Sequence, residues 1–179
     1  MGSGKSVIGA ALAKALNYKY IDLDAYLEEQ EDRSIAQLFK EKGELYFRKK
    51  EAATVSHLLQ KKGNQVIALG GGTPCYGTVM EDILNTPNAR TIYLKASVNT
   101  LTDRLFPERE HRPLIAHLET QEVLEEFIRK HLFERNFYYL KSHHIISVAN
   151  ETPEEIATKI ERNAKVKVGG SYSKKTDIS

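Results

Sequence analysis

Apolar residues recur three and four positions apart between residues 7 and 16: Ile8, Leu12 and Leu16 form one stripe, Val7, Ala11 and Ala15 another. That period, rich in alanine and free of proline, predicts a helix that Asn17 can end. The period then changes. YKYIDLD, residues 18–24, alternates as a strand and closes on two acids. A short helix is expected over 25–29, and Ser34 with Gln37 makes a capping box that opens another. Gly43 breaks that helix, and 44–61 reads as a long amphipathic one. QVIAL, residues 65–69, is a short apolar strand running into Gly70-Gly71-Gly72. A short helix over 79–84, a strand over 89–95 and a helix over 98–105 follow. FPEREHRPL, residues 106–114, has two prolines, many charges and no period, and reads as a mobile loop. A helix over 120–139 and a strand over 144–148 come next. Thr152-Pro153-Glu154-Glu155 joins an N-cap, a proline at the first helical position and a box-closing acid, so a final helix starts there and runs to about residue 164. Residues 165–179 are polar and expected to be disordered.

Four strands alternating with helices predict an α/β fold, a parallel sheet flanked by helices in three layers. Composition narrows the class without changing it. At 179 residues the chain suits one domain, here 1–164. A net charge of +2 gives no broad basic field for nucleic acid. No apolar run is long enough for a membrane span. One cysteine, Cys75, excludes an internal disulfide framework and fits a cytoplasmic protein. The six histidines lack zinc-site spacing, and Cys75 is expected to be a small packing residue.

The candidate chemistry lies in MGSGKS, just ahead of the first helix. A phosphate chain needs several donors and a positive charge within a few ångströms. Glycines let backbone amides wrap an anion closely, and the helix start adds its own unpaired amides and dipole. A lysine can then reach the β and γ phosphates, and a serine hydroxyl can ligate Mg²⁺; these are the mechanics of the P-loop. Gly4-Lys5-Ser6 supplies the end of that pattern, and its first glycine would fall ahead of Met1. Such a loop joins a central strand to a helix. Without that strand its two neighbours would leave backbone groups unpaired, at about 1–3 kcal/mol each. The first, central strand is therefore expected to be missing from this sequence, as a short apolar segment ending in Gly-x ahead of Met1.

Asp22 and Asp24, two apart, are expected at the end of a strand with both side chains on one side of the sheet, where ligands of open α/β sheets bind. One could hold Mg²⁺ through water and the other could orient a substrate hydroxyl. The glycine triplet would let a substrate approach the backbone. Arg112, with Arg109 and His111, lies in the 106–114 loop, which suits a lid that closes on phosphates.

IDLD, GELYFRKKE, LGGG, HRPL and ERNFYY, in that order and spacing behind GKS, resemble the shikimate kinase family over nearly the whole chain to about residue 164. The resemblance implies a P-loop kinase fold, with the lid at about 106–114 and substrate-binding helices within about 25–61. It implies ATP-dependent phosphorylation of shikimate to shikimate 3-phosphate in aromatic amino acid biosynthesis, with Mg²⁺, by a monomer. On that resemblance Gly2, Ser3, Gly4, Lys5, Ser6 and Val7 contact the ATP phosphates. Ser6 ligates Mg²⁺, and Asp22 supports it through water. Asp24 binds the shikimate hydroxyls and acts as base. Arg48 and Arg135 hold the shikimate carboxylate, and Gly71 meets the ring through its backbone. Arg112 is the lid arginine, while Arg104 and Pro153 flank adenine. The residues alone leave open a kinase of another carboxylated polyol, such as gluconate, and a non-catalytic nucleotide-binding protein.

Overall fold

The structure, a computed structural model, describes residues 2–168. Helix α1 (Lys5–Leu16) starts at Gly4, whose φ of 85° lies in the left-handed region, and ends at Asn17, whose amide closes on Ala13 and Lys14. Strand β1 (Lys19–Asp22) leads directly into α2 (Leu23–Glu31). The Asp22 carboxylate caps that helix by accepting from the amides of Asp24 and Ala25. The strand thus ends two residues earlier than the alternation suggests, because a carboxylate at the N-cap satisfies amides that a strand would leave facing outward. Helix α3 (Ile35–Gln60) opens on the expected Ser34–Gln37 box and bends at Gly43, φ 80°.

Strand β2 (Gln65–Ala68), a 3₁₀ turn at Thr73–Cys75, α4 (Val79–Asn85), β3 (Ile92–Lys95), α5 (Val98–Leu105), α6 (Gln121–Tyr139), β4 (His144–Ser147) and α7 (Pro153–Val168) complete the order. Thr152 and Glu155 form the reciprocal cap of α7. That helix continues past residue 164, so the polar stretch is helical at its start; the expected disorder of the rest falls on 169–179, outside the described residues. The 106–114 segment is more regular than its composition suggests, with a 3₁₀ turn at Arg109–His111.

The four strands form two separate two-stranded parallel sheets, β1 with β2 and β3 with β4, in place of the single sheet expected. Asp22 stands opposite Ala68 in the first, and Lys95 opposite Ser147 in the second. Between β2 and β3 lies an apolar cavity of about 1080 Å³, bordered by Gly9 and Leu12 of α1, Ile67, Leu94, Ile128 and Ile160. This cavity separates the two sheets. Helices cover both faces and divide the core into two clusters. One gathers Ile8, Leu105, Leu124, Ile146 and Ile156; the other Ile21, Leu23, Leu38, Phe47 and Leu58. Among the described residues no helix is long and apolar enough to cross a membrane.

Candidate active site

Gly2 and Gly4 both have positive φ, 72° and 85°. A Cβ on Gly2 would come within 2.9 Å of the buried Leu105 side chain, so the loop turns tightly over α5 only with glycine there. Gly4 passes its carbonyl to the Ile8 amide at 2.9 Å, and the free first-turn amides of α1 open beside Lys5 and Ser6. Ser3 and Lys5 border the end of the central cavity, and Val7 is exposed.

Lys5 is the hub of four charges. Burial lowers its pKa; Asp24 and Asp22 pull it back up, and Arg112 pushes it down. A lysine that feels all three places the loop, the acid pair and the 106–114 segment in one neighbourhood. The Ser6 hydroxyl donates to Asp22 Oδ2 at 2.9 Å, and the Tyr20 hydroxyl reaches the same oxygen at 3.3 Å.

Asp24 does not stand at the end of a strand beside Asp22. It occupies the first turn of α2, where the Asp22 carboxylate caps its amide. The pair is still brought together, through a cap instead of a pleat. Asp24 is solvent-exposed, yet its surroundings exclude enough water to raise its pKa: burial contributes most, then the Asp22 and Glu51 charges, with Lys5 opposing.

The other half of the site surrounds the glycine triplet. Arg48, on the face of α3 turned inward, donates to Glu51 Oε2 at 2.8 Å and to Glu44 Oε1 at 3.4 Å. Burial lowers the Arg48 pKa, but the hydrogen bonds and charges of these acids raise it further, so the net direction is up. Glu51 is 2% exposed and also accepts from the Thr73 hydroxyl. A Cβ on Gly70 would lie 2.9 Å from Glu51 Oε1 and 3.1 Å from Asp24 Oδ1. The outer glycines of the triplet, Gly70 against Asp24 and Gly72 against Arg48, thus leave no room for a side chain. The Tyr139 hydroxyl donates to the Gly71 carbonyl at 2.6 Å, and Arg135 lies one turn earlier on α6. Arg135 makes no hydrogen bond or ion pair among the described residues. Burial raises the Cys75 thiol pKa, while the Arg135 and Arg48 charges oppose.

Arg112 donates to Glu108 at 2.6 Å, and its buried Nε finds no partner among the described residues. Arg104 donates to the Ala149 carbonyl, tying α5 to the loop that delivers Pro153 at the start of α7. The sequence-predicted residues thus form two groups that meet at Asp24. The loop, Asp22, Lys5 and Arg112 lie on one side; Arg48, the triplet and Arg135 lie on the other.

Glu51, Thr73 and Tyr139 were not singled out from sequence. Glu51 is three residues after Arg48 and Tyr139 four after Arg135, spacings that put each on its arginine's helix face. Thr73 carried no comparable signal.

A glycine loop at a helix start, its lysine among two carboxylates and the arginine of the 106–114 segment, on parallel strands flanked by helices, fits the P-loop kinase class. The shikimate kinase family model matches residues 1–165. A shikimate kinase of Flavobacterium johnsoniae is 43% identical over 155 residues, covering 87% of this chain and 89% of that protein. The crystal structure of shikimate kinase from Bacteroides thetaiotaomicron superposes with a TM-score of 0.83 at 30% identity, over 92% of this chain and 94% of that one. Shikimate kinase from Acinetobacter baumannii, solved in complex with shikimate, gives 0.82 at 26% identity over 95% and 91% of the two chains. The chain belongs to the shikimate kinase family.

Proposed function

We propose that this protein transfers the γ-phosphoryl group of ATP to the 3-hydroxyl of shikimate, giving shikimate 3-phosphate and ADP. The observation that carries this reading is the meeting at Asp24 of the two groups just described. A bond forms between the γ-phosphorus and the attacking oxygen, the bond to the β,γ-bridging oxygen breaks, and the hydroxyl proton passes to the Asp24 carboxylate. Positioning and charge neutralisation supply most of the acceleration for so loose a transition state. Lys5 and Arg112 neutralise the transferring group, and the amides of residues 2–7 cradle the phosphates. Arg48 and Arg135 hold the acceptor carboxylate as paired donors, with Arg48 braced by Glu51 and Arg135 making no hydrogen bond among the described residues. Gly71 meets the ring through its backbone, and Arg104 and Pro153 frame the adenine.

Among the described residues no three His, Cys, Asp or Glu side chains gather as a metal cage. Ser6 Oγ and Asp22 Oδ2, 2.9 Å apart, are hard oxygen donors of the kind Mg²⁺ takes when substrate phosphates and water complete its shell. Ser6 would hold the ion directly and Asp22 through water; when bound, the ion neutralises charge on the β and γ oxygens.

A coupled ADP-release assay with shikimate and, separately, gluconate tests the reading. Shikimate-dependent ADP release is expected. Release with gluconate alone would transfer the assignment to another polyol, and silence with both would leave a nucleotide-binding protein.

A further inference from the structure

The hydrogen bond from Tyr139 to the Gly71 carbonyl joins the end of α6 to a backbone segment without side chains of its own. We propose that Tyr139 is a positioning residue for the acceptor substrate: its phenol fixes the Gly71–Gly72 peptide and so sets the glycine backbone against Arg48 and Arg135. The proposal rests on the shikimate kinase reading and deepens it.

Three glycines in a row leave a backbone with wide conformational freedom, so its working shape must be imposed by neighbours. A trans peptide is planar, with the carbonyl of one residue and the amide of the next pointing in opposite directions. Holding the Gly71 carbonyl on the Tyr139 hydroxyl therefore turns the Gly72 amide away from α6. Gly72 borders the Arg48 guanidinium so closely that a Cβ there would lie 2.7 Å from both terminal nitrogens. Among the described residues neither the Gly71 nor the Gly72 amide donates to a protein group. The Gly72 amide, open among the described residues, thus stands beside Arg48, and the tyrosine hydroxyl sets its direction. Arg135 lies four residues before Tyr139, on the same helical face. One hydrogen bond therefore fixes the distance between the second arginine and the triplet.

Tyr139 is itself held. Its ring packs on Tyr93 of β3 with centroids 5.1 Å apart, and the Tyr93 hydroxyl donates to Asn136 Oδ1 at 3.2 Å. Burial, with smaller help from Cys75 and Tyr93 and opposition from Arg135, pushes the phenol up to about 12, so it stays a donor at any working pH. The Cys75 thiol lies 3.9 Å from the same Gly71 oxygen and reports on the loop.

Tyr139→Phe removes the hydroxyl and keeps the ring. The expected result is a rise of about tenfold in the shikimate KM, with kcat within about twofold and the ATP KM unchanged. Cys75 should also react faster with a thiol reagent, a readout that needs no substrate. Unchanged shikimate KM, equal rises in both KM values, or unchanged Cys75 reactivity would each overturn the role. If the unsubstituted protein fails to bind shikimate while Tyr139→Phe still accelerates Cys75 labelling, the clamp stands and the substrate reading falls. Should Tyr139→Phe not fold, Asn136→Ala, which removes only the acceptor for the Tyr93 brace, should raise the shikimate KM by a smaller factor in the same selective way. No change with that variant would count against the proposal.

Discussion

Arg48 Nη1 and Glu51 Oε2 lie 2.8 Å apart, one turn from each other on α3, with the arginine side chain 16% and the glutamate 2% exposed. Glu51 also accepts from Thr73 and borders Gly70, so a single buried carboxylate connects the arginine to the glycine loop. An ion pair so placed does little for net stability, since desolvation offsets much of the attraction, but leaving one partner alone is costly.

Glu51→Ala should therefore destabilise the fold by on the order of 3–5 kcal/mol, because Arg48 would keep its charge in a half-closed site with only the exposed Glu44 to answer it. Urea unfolding of the two proteins measures this. Glu51→Gln, which keeps the shape and a hydrogen-bonding oxygen, should lose less.

Arg48→Ala should mainly raise the shikimate KM, by roughly 10- to 100-fold, the worth of a charge-assisted hydrogen bond to a carboxylate. Steady-state kinetics with shikimate varied at saturating ATP decides it. An unaltered KM removes Arg48 from the acceptor site.

Arg112→Ala should depress kcat by about 10²-fold or more, with a far smaller effect on the shikimate KM, because its charge is needed where negative charge develops. Glu108 holds the Arg112 guanidinium at 2.6 Å, so a phosphate that recruits Arg112 must compete with that carboxylate. Glu108→Gln is expected to lower the ATP KM.

Gly72→Ala places a methyl group 2.7 Å from the Arg48 guanidinium nitrogens. Arg48 must move away from the triplet, so the shikimate KM should rise while the ATP KM holds. A variant with both values unchanged would show that the loop can yield.

The pKa of Asp24 is raised above its ordinary 3.8 by burial and by the Asp22 and Glu51 charges. A base must be ionised, so kcat/KM should fall on the acid side through the raised Asp24 pKa. Glu51→Gln removes one raising charge and should move that limb to lower pH. The sign for stability runs the other way. The folded state binds this proton more tightly than the unfolded chain, so the contribution is full below the unfolded pKa and is lost as pH rises through the folded one. A pH-rate profile together with acid and neutral unfolding curves tests both halves.

Much of this protein was legible in one dimension. The three-to-four period of α1 and the two-residue period of the strands follow from chain geometry alone, and all four strands lie within or at the expected segments. The Ser34 and Thr152 caps use only neighbours along the chain, so their residues suffice to predict them. GKS, the paired aspartates and the GELYFRKKE segment pointed to the family for the same reason: each is a local arrangement of groups whose chemistry depends on spacing.

Contacts across the fold were settled only by packing. Asp22 became a helix cap because α2 starts at once, and its alternation with Ile21 could not show that. Glu51 reads in sequence as one more acid on a charged helix, and only the docking of α3 against Gly70 and Thr73 buries it. Tyr139 and Gly71 are 68 residues apart, and no local period encodes a hydrogen bond between a helix end and a strand's exit loop. The sequence by itself determined the elements, the phosphate loop and the types of charge available. Tertiary structure decided which charges share low-dielectric surroundings, and that decides which of them are shifted, braced or open to a substrate.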